Sequence, residues 1–142
     1  MGTRRQAREW ALQALYLSDA SGLTPERATA VLQVQRASLG DVMGPFAESL
    51  YRGTLADLAN LDVKIQSCAD NWEISRMSVV DRNLLRLATH EMIGGYDTPV
   101  AVVIDEALEI GKKYSAADSS RFLNGVLDKV KQFKPQNKKS DA

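Results

Sequence analysis

Apolar residues recur every three or four positions along most of this chain, which is the spacing of one face of an α-helix. In the first stretch, five of them share a face that we expect to be buried: Ala7, Trp10, Ala11, Ala14 and Leu17. Thr3 and Gln6 have the spacing of a capping box, in which each side chain satisfies a free backbone donor at a helix start. The pattern predicts a first helix over about residues 4–17.

Six further helices are predicted from their start and stop signals, while strand-like alternation is absent. We expect the second helix to begin at Thr24-Pro25 and end before Gly40, and the third to begin near Pro45. The fourth should be capped by Asp62 and carry Trp72, and the fifth should begin at Ser78 and stop at Gly94-Gly95. The sixth should begin at Thr98-Pro99, and the seventh should be capped by Asp118 or Ser119. The β-branched run 100–104 resembles a strand, but Pro99 before it favours a helix. The sequence therefore predicts an all-α fold.

The length of 142 residues suits one hydrophobic core, so we expect a helical domain over residues 1–134 and a flexible polar tail over 135–142. The single cysteine, Cys68, excludes an internal disulfide framework and favours a reducing compartment, which points to the cytoplasm. No apolar run approaches the roughly 18 residues that a membrane span needs. We therefore expect no contact with a membrane.

Catalysis is disfavoured by the shortage of reactive side chains. His90 is the only histidine, and both it and Cys68 fall among the apolar positions of predicted helices, where a structural role is the more common one. Neither a metal-ligand cluster nor a phosphate-binding glycine loop is present in the sequence. The sequence thus argues against an enzyme and predicts no cofactor and no metal.

Nucleic acid binding has to rely on local charge, because 18 basic and 18 acidic residues give zero net charge. Basic residues crowd both ends, and they would form one surface if the ends lie side by side: Arg4, Arg5, Arg8, Lys129, Lys131, Lys134, Lys138 and Lys139. On the first helix, six residues are expected to project away from the buried face: Arg5, Arg8, Glu9, Leu12, Gln13 and Tyr16. Arginines with an aromatic ring suit single-stranded RNA, whereas a merely solvated face is the more common meaning of such a pattern.

Two later segments leave the same alternatives open. Arg121 and Phe122 either extend an RNA surface, or Phe122 belongs to the core and the nearby lysines keep the protein in solution. Asp81, Arg82 and Arg86 follow a helix start, where charges serve the helix dipole and local ion pairs or else border a surface for a partner. The spacing of these residues does not decide between the alternatives.

Four motifs together resemble the NusB family in their order along the chain. They are Arg4-Arg5-Gln6-Ala7-Arg8-Glu9 with Ala11-Leu12-Gln13-Ala14-Leu15-Tyr16, then Asp81-Arg82-Asn83-Leu84-Leu85-Arg86-Leu87-Ala88, then Pro99 through Glu106-Ala107 to Lys112-Lys113-Tyr114, and last Phe122-Leu123-Asn124-Gly125-Val126-Leu127-Asp128. The resemblance covers about the whole folded chain. It implies seven helices in two packed three-helix halves, in agreement with the helix count above.

The resemblance also implies a function in transcription antitermination. NusB-type factors bind boxA, a single-stranded element of nascent ribosomal RNA, jointly with the small-subunit ribosomal protein NusE, and help RNA polymerase pass terminators. Matching positions assign RNA contact to Arg4, Arg5, Arg8, Gln13, Tyr16, Arg121 and Phe122, and partner contact to Arg76, Asp81, Arg82 and Arg86. The family includes monomers and dimers, so a homodimer that covers the RNA face of the first helix is compatible with the resemblance.

Three departures from the family pattern bear on these expectations. Asp105 stands where members commonly have Asn, His90 where many have Tyr, and only three residues precede Arg4, so we expect modest RNA affinity without the partner. Two other readings remain: a helical adaptor or dimerisation module without an RNA role, and a stand-alone relative of the RNA-binding domain of rRNA methyltransferases. RNA binding measured with and without NusE separates the three.

Overall fold

The computed structural model describes residues 2–135, and this part of the chain contains seven α-helices and no strand. The helices are α1 (Arg4–Ser21), α2 (Pro25–Val31), α3 (Gln33–Ala56), α4 (Leu58–Cys68), α5 (Val79–Ile93), α6 (Val100–Tyr114) and α7 (Ser119–Val130), with short 3-10 turns at Ile74–Arg76 and Lys131–Phe133. The predicted all-α class is confirmed, including the helical state of the β-branched run in α6. Of the predicted polar tail, residues 136–142 lie outside the described part.

Local capping chemistry sets the ends of α1. Thr3 Oγ1 accepts a hydrogen bond from the Gln6 amide at 3.1 Å, and Gln6 Oε1 accepts one from the Thr3 amide at 2.9 Å, so the predicted capping box is present. The helix continues to Ser21, four residues beyond the predicted end. It ends there because Gly22, with φ of 67°, is a residue that adopts the left-handed conformation at little cost.

Gly40 marks a break within α3 and not the boundary between two separate helices. Its φ of 88° and ψ of −175° are not helical, yet helical backbone continues on both sides of it. The predicted second helix, which was expected to end before Gly40, corresponds to two elements separated at Leu32: α2 and the first part of α3. Pro45 lies five residues beyond the break, inside the second part, where its ring removes one backbone donor from the helix.

The predicted beginning of the fourth helix was wrong. The helix begins at Leu58, and Asp62 lies inside it, where its carboxylate binds the Arg86 guanidinium at 2.7 and 2.9 Å. The residue that resembled a cap is thus one partner of an ion pair with a distant helix. Local sequence cannot reveal such a pair. Trp72 lies beyond the end of α4 in the following loop and is 59% exposed.

The helices form two halves that share α5 as their central contact. Helices α1, α2 and α3 pack on one another, as do α5, α6 and α7, and α5 also packs against α1, α3 and α4. The buried aromatic pair Trp10 and Tyr51 meets edge to face at 6.0 Å, and Trp10 Nε1 donates to the Leu32 carbonyl. The predicted arrangement of two packed three-helix halves is confirmed. None of the helices in residues 2–135 is long and apolar enough to cross a membrane.

Candidate nucleic-acid interface

The basic start of α1 faces α6 across a cleft of about 680 Å³, which we call the α1 cleft. Its lining residues are Thr3, Arg4, Arg5, Arg8, Asp97, Thr98, Pro99, Val102 and Glu106. Arg5 is about half exposed and donates two hydrogen bonds to the Glu106 carboxylate, at 3.0 and 2.6 Å. The bonds from Arg5 lower the pKa of Glu106, and they raise the pKa of Arg5. Arg4 is exposed and makes no ion pair within the described residues.

Arg8 is buried, contrary to the expectation that it projects from the exposed side. Its guanidinium donates to both carboxylate oxygens of Glu91 on α5, at 2.8 and 2.7 Å, and lies 3.5 Å from Glu106. The side chains of Arg8 and Glu91 are 5% and 1% exposed. Leu12 is likewise buried, because Arg8, Leu12 and Leu15 follow one helical stripe beside that of Ala7 and Ala11. This second stripe was the sequence signal that the expectation missed.

Gln13 and Tyr16 lie on the outer side of α1, beside an apolar groove of about 360 Å³. Tyr16 is 43% exposed, and the groove is lined by Leu12, Gln13, Tyr16, Leu17, Val31, Leu32, Val80 and Tyr114. Tyr114, at the end of α6, was not selected from the sequence as a site residue, although it is itself exposed beside the groove. Two exposed tyrosine rings and one amide thus border the same apolar surface.

Arg121 and Phe122 lie at the start of α7, on a cleft of about 930 Å³ that we call the α7 cleft. It is lined by Trp72, Arg76, Met77, Ser78, Asp81 and residues 117–122. The structure therefore brings two residues predicted for RNA, Arg121 and Phe122, together with two predicted for the partner, Arg76 and Asp81. Residues of both predicted sets therefore line the same cleft on this side of the molecule.

Asp81 joins the start of α5 to the loop before α7. Its carboxylate accepts hydrogen bonds from the Ser115 and Ser119 hydroxyls, the second at 3.1 Å, and its backbone amide donates to Ser78 Oγ at 3.1 Å. Ser78 thus caps α5 where the sequence predicted its beginning. The Asp81 side chain does not complete a capping box by bonding back to the Ser78 amide, because it binds the two distant hydroxyls.

Arg82 and Arg86 are engaged by two carboxylates within the fold. Arg82 donates to both oxygens of Asp19 at 2.7 Å, and Arg86 binds Asp62 and also reaches Asp19 at 3.1 Å. Asn83 Nδ2 donates to Asp19 as well, at 2.8 Å. These bonds, above all those from Arg82, lower the pKa of Asp19 to about 2. The network joins the end of α1 to α5 and leaves only a small part of either arginine exposed.

Two of the basic residues near the chain end, Lys129 and Lys131, are also paired with acids. Lys129 Nζ lies 2.8 Å from Asp70 and Lys131 Nζ lies 2.8 Å from Asp128, while Lys134 Nζ is 3.4 Å from the Met92 carbonyl. The remaining predicted lysines, Lys138 and Lys139, lie outside the described residues. Local pairing therefore reduces the charge of the lysine cluster that the sequence displays.

Neither of the two reactive side chains, His90 and Cys68, lines the α1 cleft or the α7 cleft. Burial lowers the pKa of His90, whose Nε2 is 3.3 Å from the Tyr96 hydroxyl. Cys68 is buried at the end of α4, with Gln132 Nε2 3.7 Å from its sulfur. Over residues 2–135, no group of three or more His, Cys, Asp or Glu residues is arranged to hold a metal ion.

Comparisons with known proteins agree with the fold described above. The model of the NusB family matches residues 5–132. A protein from Elusimicrobium minutum named transcription antitermination protein NusB is 44% identical over 133 residues, which are 93% of this chain and 95% of that protein. A solved structure of T. maritima NusB is 32% identical and superimposes with a TM-score of 0.87 over 100% of both chains. A chain from a structure of the antitermination factors NusB and NusE in complex with dsRNA is 25% identical, covers 91% of this chain and 96% of that one, and gives a TM-score of 0.83. This chain belongs to the NusB family.

Proposed function

We propose that this protein is a cytoplasmic, non-catalytic transcription antitermination factor that binds boxA RNA of nascent ribosomal RNA transcripts together with NusE, within an RNA polymerase complex. The observation that carries the proposal is the nearly full-length likeness to a chain from a crystal structure of NusB and NusE in complex with dsRNA. The chain also presents arginines and aromatic rings at the ends of α1 and α7, the side chains that hold phosphates and stack on unpaired bases.

The proposed RNA residues have different tasks according to their burial. Arg4 is free to contact phosphate, whereas Arg5 exchanges its bond with Glu106 for one with RNA. Tyr16, Gln13, Arg121 and Phe122 are exposed or partly exposed and supply stacking and hydrogen bonding. Arg8 has an indirect role and does not itself contact RNA, because its buried guanidinium holds α1 against α5 and α6.

The proposed partner residues divide in the same way. Arg76 and Asp81 line the α7 cleft and would meet NusE beside the RNA. Arg82 and Arg86 bind Asp19 and Asp62, so they mainly fix the position of α5 relative to α1 and α4. Because residues proposed for RNA and residues proposed for NusE both line the α7 cleft, we propose that the binding surfaces for RNA and NusE adjoin each other there.

Titration of boxA RNA with and without NusE tests this function. We expect modest RNA affinity for the protein alone, since few phosphates can be neutralised by a chain of zero net charge, and tighter binding with NusE present. Reciprocity requires that RNA tighten the protein pair by the same factor. A helical adaptor without an RNA role would bind NusE or another protein but leave boxA unbound at every NusE concentration.

Two variants separate phosphate contact from base stacking on α1. Arg5→Ala should weaken RNA binding and reduce the slope of log affinity against log salt by about 0.7 to 1, because one phosphate contact is lost. Tyr16→Ala should cost about 1–3 kcal/mol with little change of slope. Arg27→Ala is the matched control, since Arg27 is an exposed arginine on α2 that lines none of the clefts described above. If Arg27→Ala weakens binding as much as Arg5→Ala, only overall charge matters, and α1 holds no specific contact.

A further inference from the structure

In the loop between α4 and α5, several hydrogen bonds to the loop backbone hold Trp72 in an exposed position. Gln66 on α4 donates from Nε2 to the Trp72 carbonyl at 2.7 Å and accepts from the Ile74 amide at 3.0 Å. The Trp72 amide donates to the Ala69 carbonyl at 2.9 Å, and Asp70 adopts a φ of 46°, which is rare for a residue with a side chain. The loop is thus fixed on both sides of a tryptophan that the core does not cover.

The exposed indole continues an aromatic surface that begins on α7. Trp72 and Phe122 meet edge to face with ring centroids 5.5 Å apart, and Trp72 remains 59% exposed. Phe122 is partly buried against the core, so it anchors the pair, while much of the indole stays open to the α7 cleft. An aromatic ring fixed in this way offers a stacking surface at little further cost in side-chain entropy.

The charges around this ring favour a nucleic acid strand. Arg121 is exposed and makes no ion pair among residues 2–135, and Arg76 is 82% exposed, with only a surface contact of 3.7 Å to Glu73. Two acids share the cleft with them. Asp81 is already bound by Ser115 and Ser119, and Asp118 lies at the N-terminus of α7, where the helix dipole offsets an acidic charge. The groups left free to bind phosphate are therefore the two arginines.

We propose that Trp72 is an RNA-contact residue, which stacks on an unpaired base of a single strand whose phosphates lie along Arg76 and Arg121. The inference rests on the proposed function and extends it, since it lengthens the RNA track from Phe122 across the α7 cleft. An apolar anchor for a protein partner is the competing use of the same side chain, and the choice of substitutions distinguishes the two.

The test measures boxA RNA binding, in the presence of NusE, by the parent protein and by Trp72→Phe, Trp72→Leu and Trp72→Ala. Stacking requires a ring, so Trp72→Phe should stay within about threefold of the parent, while the Leu and Ala variants should lose roughly tenfold or more in affinity. An apolar protein anchor would instead tolerate leucine. Thermal unfolding of each variant checks the fold, which should persist because the side chain is largely exposed.

Tryptophan emission gives a second and direct readout. The chain has two tryptophans, and Trp10 is buried at 3% exposure with its Nε1 bound to the Leu32 carbonyl, so RNA should alter only the emission of Trp72. We expect quenching on RNA addition in the parent and none in Trp72→Phe, although that variant still binds.

The failure of this inference differs from that of the proposed function. If the parent does not bind boxA RNA even with NusE, the function itself is wrong. If the parent binds boxA RNA without a change in its tryptophan emission, and Trp72→Leu binds equally well, only the role of Trp72 is overturned. A loss of NusE affinity without a loss of RNA affinity would assign the residue to the protein partner and equally overturn the proposal.

Discussion

Replacing Glu91 with alanine is expected to lower the free energy of unfolding by about 3–5 kcal/mol, because it leaves the Arg8 guanidinium buried without its main partner. Arg8 donates to both Glu91 oxygens in a site where the two side chains are almost fully enclosed. Its remaining acidic neighbour, Glu106, lies at 3.5 Å and already binds Arg5. A loss of this size is a large part of the stability of a domain of this length. Urea unfolding measured at neutral pH would report it.

The matched control for this prediction is Glu109→Ala. Glu109 is an exposed glutamate on α6 that pairs with Lys112 at the surface, and a solvent-exposed ion pair of this kind contributes little to stability. A double variant, Arg8→Met with Glu91→Leu, removes both charges and should recover most of the loss, since no buried charge is left alone. If Glu91→Ala costs no more than Glu109→Ala, the buried pair does not hold α1 against α5, and Arg8 is available to a ligand.

The sequence predicted those elements whose signals lie within one or two helical turns. Ser78 and Gly94-Gly95 bound α5 as expected, because a side-chain cap and a glycine stop act on neighbouring backbone groups. Helix α6 begins at Val100, one residue after Pro99, whose fixed φ suits a helix start although no side chain caps it. Asp62 was misassigned because its carboxylate has two uses, as a cap or as an ion-pair partner, and only the position of Arg86 decides between them.

The candidate site depended on contacts that local spacing does not contain. Arg8 and Glu91 are 83 positions apart, and the sequence around each residue contains no signal that predicts their ion pair. Trp72 was assigned to a helix face because its spacing from Ile65 and Cys68 is helical, but the helix ends at Cys68 and the loop turns the ring outwards. Tyr16 and Arg5, by contrast, were selected from their place opposite the buried stripe and do lie at the surface. The RNA and partner roles of all these residues remain predictions.

Asp19→Asn should destabilise the protein by about 2 kcal/mol at neutral pH. The carboxylate of Asp19 accepts hydrogen bonds from Arg82, Asn83 and Arg86, and these partners lower its pKa from near 3.8 to about 2. Because the pKa of Asp19 is lower in the folded state than in the unfolded state by this amount, its charge contributes roughly 2 kcal/mol to the stability of the folded protein. Asparagine keeps the shape of the side chain but removes the charge that the two arginines share.

The pH dependence of this effect has a definite sign. Because folding lowers the pKa of Asp19, its contribution is complete above the unfolded value near 3.8 and is lost as the pH falls towards about 2. The stability difference between the parent and Asp19→Asn should therefore be constant from pH 7 to about pH 5 and shrink towards zero near pH 2. Asp128→Asn is the control, since among residues 2–135 Asp128 pairs only with Lys131, at the surface, and its replacement should cost little at any pH. A difference for Asp19→Asn that does not change between pH 5 and pH 2 would mean that the charge of Asp19 does not stabilise the junction of α1 and α5, and that only the shape of its side chain does.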